Sequence, residues 1–389
     1  MGKINVTEDI KYIGVDDLSL DLFEGQYRIP EGVSYNSYII LDDKVAVMDT
    51  VESAFRDEWL SNVEAVLGGR KPDYLVVQHM EPDHSGNVEA FLAKYADCTV
   101  MCSAKAVPLF KRFFESDYES RIKVVGEGDT LPLGKHTLQF LLAPMVHWPE
   151  VMVTYDQHDK ILFSADAFGK FGALSKEDEN DEGWACEARR YYFNICGKYG
   201  NMVQGLLKKI AKLEVSTICP LHGPVLSDDL GYYIGLYDTW SKYEAETEGV
   251  FIAFCSLHGN TGKAANILAD ALREKGVKVS VADLSRDDLH EAVEDAFRYD
   301  RMVLAAPTYD GGLMPIMEDF INHLRIKAYQ NRKVAFIENG SWAPVSGKKM
   351  REAMEAMKNI TIVDPLVTVE STVKPATIEK LKELAGALA

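Results

Sequence analysis

The segment Gln78-His79-Met80-Glu81-Pro82-Asp83-His84 limits what this chain can become more than any other stretch. It follows the apolar run Tyr74-Leu75-Val76-Val77, whose short length and abrupt polar end predict a buried strand opening into a loop. In the spacing H-x-E-x-D-H the loop offers two imidazoles and two carboxylates, with no thiolate. Surface loops carry single His or Asp residues by accident. Four donors packed directly behind a strand predict a metal site instead. Nitrogen and oxygen donors in this ratio suit iron or manganese at least as well as zinc.

The sequence of strand and then donor recurs. Leu138-Gln139-Phe140-Leu141-Leu142 leads to His147, Ile161-Leu162-Phe163-Ser164 ends at Asp166, and Val215-Ser216-Thr217-Ile218-Cys219-Pro220 ends at His222. Singly each is weak, because a lone His is most often structural. Together they predict a layered α/β fold whose strand ends converge on one edge and hold a shared site. The first 50 or so residues read as strands, with a hairpin turn at Asp42-Asp43. Apolar spacing predicts a helix from Phe55 to Leu67, stopped by Gly68-Gly69, and others over 87–95 and 106–114. Residues 175–183 are acidic and polar and predict an exposed loop, and a helix over 231–248 closes this part of the chain.

The pattern changes at Glu248-Gly249, which divides the chain into domains of residues 1–248 and 249–389. Val250 to Phe254 reads as a central strand, followed by Cys255-Ser256-Leu257-His258-Gly259-Asn260-Thr261-Gly262 and a helix beginning near Lys263. Strand, loop of small and hydroxyl residues, then helix is the geometry of an anion site, with backbone N–H groups facing a phosphate. Ser256 and Thr261 add hydroxyl donors. The spacing is neither G-x-G-x-x-G nor G-x-x-x-x-G-K-[ST], which argues against a dinucleotide fingerprint and a P-loop. Two further strands open into Pro307-Thr308-Tyr309-Asp310-Gly311-Gly312 and Asn339-Gly340-Ser341-Trp342. Loops at the C-terminal ends of parallel strands are where doubly wound folds bind ligands, and Tyr309 and Trp342 supply aromatic surface there.

Composition excludes some functions. A net charge of -18 argues against a nucleic-acid binder. No apolar run approaches the length of a membrane span, and the first residues lack the apolar core of a secretion signal, so a cytoplasmic protein is expected. The six Cys form no C-x-x-C pair and read as thiols in a reducing compartment.

On these motifs the chain resembles the flavodiiron proteins, or A-type flavoproteins, over nearly its whole length. The resemblance implies an αββα metallo-β-lactamase-like sandwich followed by a flavodoxin-like doubly wound sheet of five parallel strands. Hydrolases of the first fold carry H-x-H-x-D-H and bind zinc. Here Glu81 replaces the second His, and a hard anionic oxygen favours iron. The family pattern implies His79, Glu81 and His147 on one iron, Asp83, His84 and His222 on the other, and Asp166 as the bridge. It implies FMN on the three loops of the second domain, with His258 where relatives often carry an aromatic residue. It places a tyrosine, read as Tyr192, near the metal pocket, and puts Glu24 where many relatives have His.

The activity implied is reduction of O2 to water or of two NO to N2O, protecting an anaerobe. Electrons would come from a separate donor such as rubredoxin or a reduced flavoprotein, since no rubredoxin module follows Ala389. The assembly implied is a head-to-tail homodimer or a dimer of dimers, with FMN of one chain facing the metals of the other. The alternatives are a zinc-dependent hydrolase with a fused flavodoxin, and an FMN and iron redox sensor.

Overall fold

The computed structural model describes residues 6–176 and 182–389, and part of the expected acidic loop, residues 177–181, lies outside them. The chain forms two compact units. The first comprises Met1–Tyr192 and Asn201–Tyr237, and the second Phe193–Gly200 and Asp238–Ala389. The boundary expected at residue 248 falls inside the strand Thr247–Phe254. The helix expected to reach Glu248 is Leu230–Ser241, because its last turn gives way to that strand.

In the first unit two sheets share one core. One sheet has the order Ile10–Tyr12, Tyr38–Leu41, Val45–Met48, Tyr74–Val76, Thr99–Ser103 and Ile122–Val125. The other runs Thr130–Pro132, Thr137–Leu142, Met152–Asp156, Ile161–Phe163 and Thr217–Cys219. Alternation along the strands decides what lies between the sheets. Ala46, Met48, Val76 and Met101 from the first sheet meet Leu138, Phe140, Met152 and Phe163 from the second in one buried cluster. The residues between them, Val45, Val47, Leu75 and Val100, are equally buried. Two-sided burial of this kind needs helices on the outer face. Trp59, Val63 and Leu67 of the helix Arg56–Leu67, and Phe91 and Leu92 of Val88–Lys94, are buried too, with the Trp59 and Phe91 rings 5.5 Å apart.

The second unit is a doubly wound parallel sheet. Its main path is Val279–Asp283, Thr247–Phe254, Tyr299–Tyr309, Lys333–Asn339 and Thr361–Ile362. In chain order this is second, first, third, fourth, fifth, so the order reverses between the first and third strands. The sheet holds seven strands where five were expected. Gly312–Leu313 folds back antiparallel onto the third strand. The fifth position is shared by Thr361–Ile362 and Val367–Val369, with Pro365 between them, which has no N–H to continue the ladder. Val250, Ile252 and Phe254 pack against the helices Asn260–Glu274 and Pro375–Leu388 through Ala265, Leu268, Leu381 and Leu384.

Candidate metal centre and mononucleotide cleft

Seven donors arrive from loops that follow strands. His79 and Glu81 lie beyond Tyr74–Val76, and Asp83 and His84 lie in the short helix Pro82–Ser85. His147 follows Thr137–Leu142, Asp166 follows Ile161–Phe163, and His222 follows Thr217–Cys219. They form two groups, His79, Glu81, His147 and Asp166 in one, and Asp83, His84 and His222 in the other. His79 Nε2 is 3.1 Å from Glu81 Oε2 and 3.3 Å from Asp166 Oδ2. His147 Nε2 is 2.9 Å from Glu81 Oε2 and 3.1 Å from Asp166 Oδ2. On the other side His84 Nε2 is 3.1 Å from His222 Nε2, 3.3 Å from Asp83 Oδ2 and 3.1 Å from Asp166 Oδ1. The Asp166 carboxylate therefore turns one oxygen to each group.

These spacings fit metal ions. Donors about 2.1 Å from a shared ion and at right angles stand about 3.0 Å apart. All four oxygens of Asp83 and Asp166 are buried without a hydrogen-bond donor, a costly arrangement unless cations sit against them. The titration preferences agree. Burial alone would disfavour a charged His147, but Asp166 and Glu81 override it and raise its pKa to about 9. Burial would raise Glu81, yet hydrogen bonds from His147 and His79 hold its carboxyl below the usual range. A cation would take the place of the proton that these rings otherwise keep. Two imidazoles and one terminal carboxylate per position, with a shared carboxylate, is a nitrogen and oxygen donor set suited to iron.

Contacts behind the ligands fix their aim. His222 Nδ1–H donates to the Ser34 carbonyl at 2.8 Å, leaving Nε2 for the centre. Asn36 Nδ2 donates to the carbonyls of Pro220 and Gly223, and Tyr38 Oη donates to Pro220, so two side chains hold the His222 loop through three hydrogen bonds. Gly223 has φ +79, and a Cβ there would stand 2.6 Å from Lys170 Cγ. Ala165 and Met145, beside Asp166 and His147, also have positive φ, 50° and 65°. Backbone strain of this kind gathers at functional sites. Asp49 accepts from Gln78 N at 2.7 Å and Gln78 Nε2 at 2.9 Å, steadying the first ligand loop, and burial pushes its carboxyl up to about 6.

In the second unit a cleft of about 460 Å³ opens at the C-terminal edge of the sheet, at the reversal of strand order. Ser256, Leu257, His258, Asn260, Thr261, Pro307, Thr308, Asp310, Gly311, Asn339, Gly340, Ser341 and Trp342 line it, as expected for the three loops. Gly259, Tyr309 and Gly312 belong to those loops without lining the cleft. Gly259, at φ 83, precedes the helix Asn260–Glu274, and no side chain caps its first N–H groups. Ser256 Oγ is buried with no partner. A capless helix start beside an orphan hydroxyl fits a phosphate. Leu257 and Trp342, which line the cleft, are 46% and 84% exposed, so apolar surface stands ready to cover a planar ring. FMN fits this cleft in both its parts.

Two expected pocket residues lie differently. Glu24 is exposed in the turn between Leu22–Phe23 and Tyr27–Arg28, with φ 49, and its neighbour Phe23 is the buried one, 5.5 Å from the His222 ring. Tyr192 packs on Tyr237 at 5.1 Å, whereas the ring beside His222, also at 5.5 Å, belongs to Tyr191. Sequence reasoning missed Ser34, Asn36 and Glu150 behind the ligands, and Ala343, Val345 and Ser371 at the cleft. Thr308 carries a second role, since its Oγ1 accepts from Val345 N and Ser346 N at the start of the helix Ser346–Glu355.

A two-sheet sandwich with a two-position metal centre, followed by a flavodoxin-type cleft, defines a class of two-domain redox protein. Residues 33–223 match the ODP family beta lactamase model, and residues 251–362 a flavodoxin domain model. A nitric oxide reductase of Moorella thermoacetica is 30% identical, over 99% of this chain and 98% of that protein. The solved rubredoxin oxygen:oxidoreductase of Desulfovibrio gigas superposes with a TM-score of 0.92 at 25% identity, over 99% of this chain and 97% of the other. The flavodiiron protein of Giardia intestinalis gives 0.91 at 25% identity, over 100% and 97%. The chain belongs to the flavodiiron proteins.

Proposed function

We propose that this chain is an oxidoreductase that reduces O2 to water, NO to N2O, or both. The observation that carries the reading is Asp166, which offers one oxygen to each of two matched ligand groups. The named activities of the Moorella and Desulfovibrio relatives support it. Two irons and an FMN, when bound, would together supply one-electron steps from a donor to a diatomic gas.

The protein's share is to hold and shield. His79, Glu81 and His147 would hold one iron, and Asp83, His84 and His222 the other. Phe23, Tyr191 and Phe171 close apolar surface around His222, keeping bulk water from that side of the centre. The free N–H groups at the start of Asn260–Glu274, with Ser256 and Thr261, would orient the FMN phosphate. Trp342 and Leu257 would cover its ring.

The electron donor is a separate rubredoxin or reduced flavoprotein. The working assembly is a head-to-tail homodimer, and the exposed aromatic mouth of the cleft supports burial against a second copy. A cytoplasmic location is supported by the free thiols of Cys98, Cys102, Cys219 and Cys255. Among the described residues no helix is long and apolar enough to cross a membrane.

Anaerobic reduction of the FMN- and iron-loaded protein, then separate exposure to O2 and NO with product identification, tests the proposal. Turnover to water or N2O supports it. Reoxidation only once, without sustained gas consumption, would indicate a sensor. Zinc in place of iron, with ester or amide cleavage, would indicate a hydrolase.

A further inference from the structure

Resting on the two-metal reading above, we infer that Glu150 is a positioning residue that makes the two metal positions unequal. The groups touching the metals are matched. Each position has two His Nε2 atoms, one terminal carboxylate and one oxygen of Asp166. The difference lies one contact further out. Glu150, 2% exposed, accepts at Oε1 from His79 Nδ1 at 2.8 Å and from Met80 N at 2.9 Å. Its backbone is tied down by Ser103 Oγ, which donates to the Glu150 carbonyl at 2.7 Å.

A carboxylate oxygen can only accept, so Nδ1 of His79 carries a proton and Nε2 is the nitrogen left to face a metal. The partner is a full negative charge in a buried site, which makes the ring a stronger donor. On the other side the rings have neutral support or none. His222 Nδ1 donates to the Ser34 carbonyl, and His84 Nδ1 is buried with no partner. The other buried carboxylate behind the loop, Asp49, hydrogen-bonds Gln78 and the His79 backbone N–H, and reaches the His84 ring through its charge alone, with no hydrogen bond. The position of His79, Glu81 and His147 therefore binds metal more tightly and fills first, and the position of Asp83, His84 and His222 loads second and empties first.

The test starts from full-length, metal-free wild-type protein titrated anaerobically with Co(II), a spectroscopic stand-in, and then with Fe(II). The expected result is two binding steps separated by about 10-fold or more, with crystals at one equivalent showing anomalous density between His79, Glu81 and His147. Glu150→Gln keeps the shape and an acceptor for Nδ1–H but removes the charge. It is expected to weaken the first step by about 10- to 100-fold and leave the second in place. Equal filling of both positions, or first filling beside His84, overturns the inference even if Glu150→Gln does not fold. Unchanged binding in a folded Glu150→Gln protein overturns it as well. Failure to take up two metals at all would sink the two-metal reading itself.

Discussion

Asn36 holds Gly223 in place: its side-chain amide donates to the Gly223 carbonyl at 2.8 Å, one residue past the candidate ligand His222 and across 187 residues of chain. The same amide reaches Pro220 at 2.9 Å, so one buried side chain closes the loop that presents His222. Asn36→Ala would leave the buried Gly223 carbonyl without its side-chain donor and the Pro220 carbonyl with Tyr38 Oη alone. Loss of about 1 to 3 kcal/mol of stability is expected, together with weaker metal binding beside His222. Chemical unfolding and metal counts on the same sample check both parts. Full stability with full metal content would show that the clamp is redundant.

Removing the shared ligand should differ from removing a private one. Asp166→Asn takes the negative charge from both positions, so uptake of both metals is expected to fall. His84→Ala strips a donor from one position only, and one tightly held metal per chain should remain. Metal content after dialysis against a chelator separates the cases. Equal losses in the two variants would argue that Asp166 does not face both groups.

At the cleft, the exposure of Trp342 allows a clean separation of binding from stability. Truncating an exposed side chain changes stability by about 0.5 kcal/mol at most. A ring stacked on FMN contributes about 1 kcal/mol, so Trp342→Ala should weaken FMN roughly fivefold with unchanged unfolding. Ser256→Ala should also weaken FMN, through loss of a donor to the phosphate. Fluorescence titration of the FMN-free protein measures both, and unaltered affinity in both would move the flavin elsewhere.

Far from the metals, His136 lies between Asp156, 3.0 Å from Nδ1, and Asp9, 3.4 Å from Nε2. Burial favours the neutral ring, but the Asp156 hydrogen bond and charge outweigh it and raise its pKa. Burial raises Asp156 too, and the His136 contact brings it below the usual range. A raised His pKa stabilises the fold fully below the unfolded value of about 6.5 and is lost as pH rises through the folded value. A lowered Asp pKa stabilises above about 3.8 and is lost on acidification. The pair should therefore support the first domain most strongly in mildly acidic solution. Melting temperatures across pH check this: His136→Gln should flatten the fall on the alkaline side, and an unchanged profile would count against it.

The fold and the grouping of the seven candidate donors were legible in the sequence for one reason, that each donor sits in a loop that follows a strand. Four are contiguous in His79 to His84, and the other three repeat the same local pattern. What was not legible depends on rotation or on distance along the chain. Tyr191 and Tyr192 are neighbours on one helix, about 100° apart around its axis, and only packing decides which faces His222. Phe23 and Glu24 are neighbours in a tight turn, which buries the first and exposes the second. Asn36 and Glu150 reach their partners from 184 and 71 residues away, and no local spacing marks them. Ser371 reaches the cleft two residues past the short strand Val367–Val369, which the apolar pattern does not locate.

The central claim is that seven side chains gather two irons around one shared carboxylate. Anomalous diffraction at the iron edge, on crystals grown after anaerobic iron loading, measures this directly. The account expects two peaks, one among His79, Glu81 and His147 and one among Asp83, His84 and His222, with an Asp166 oxygen against each. A single peak, or signal at the zinc edge alone, would contradict it.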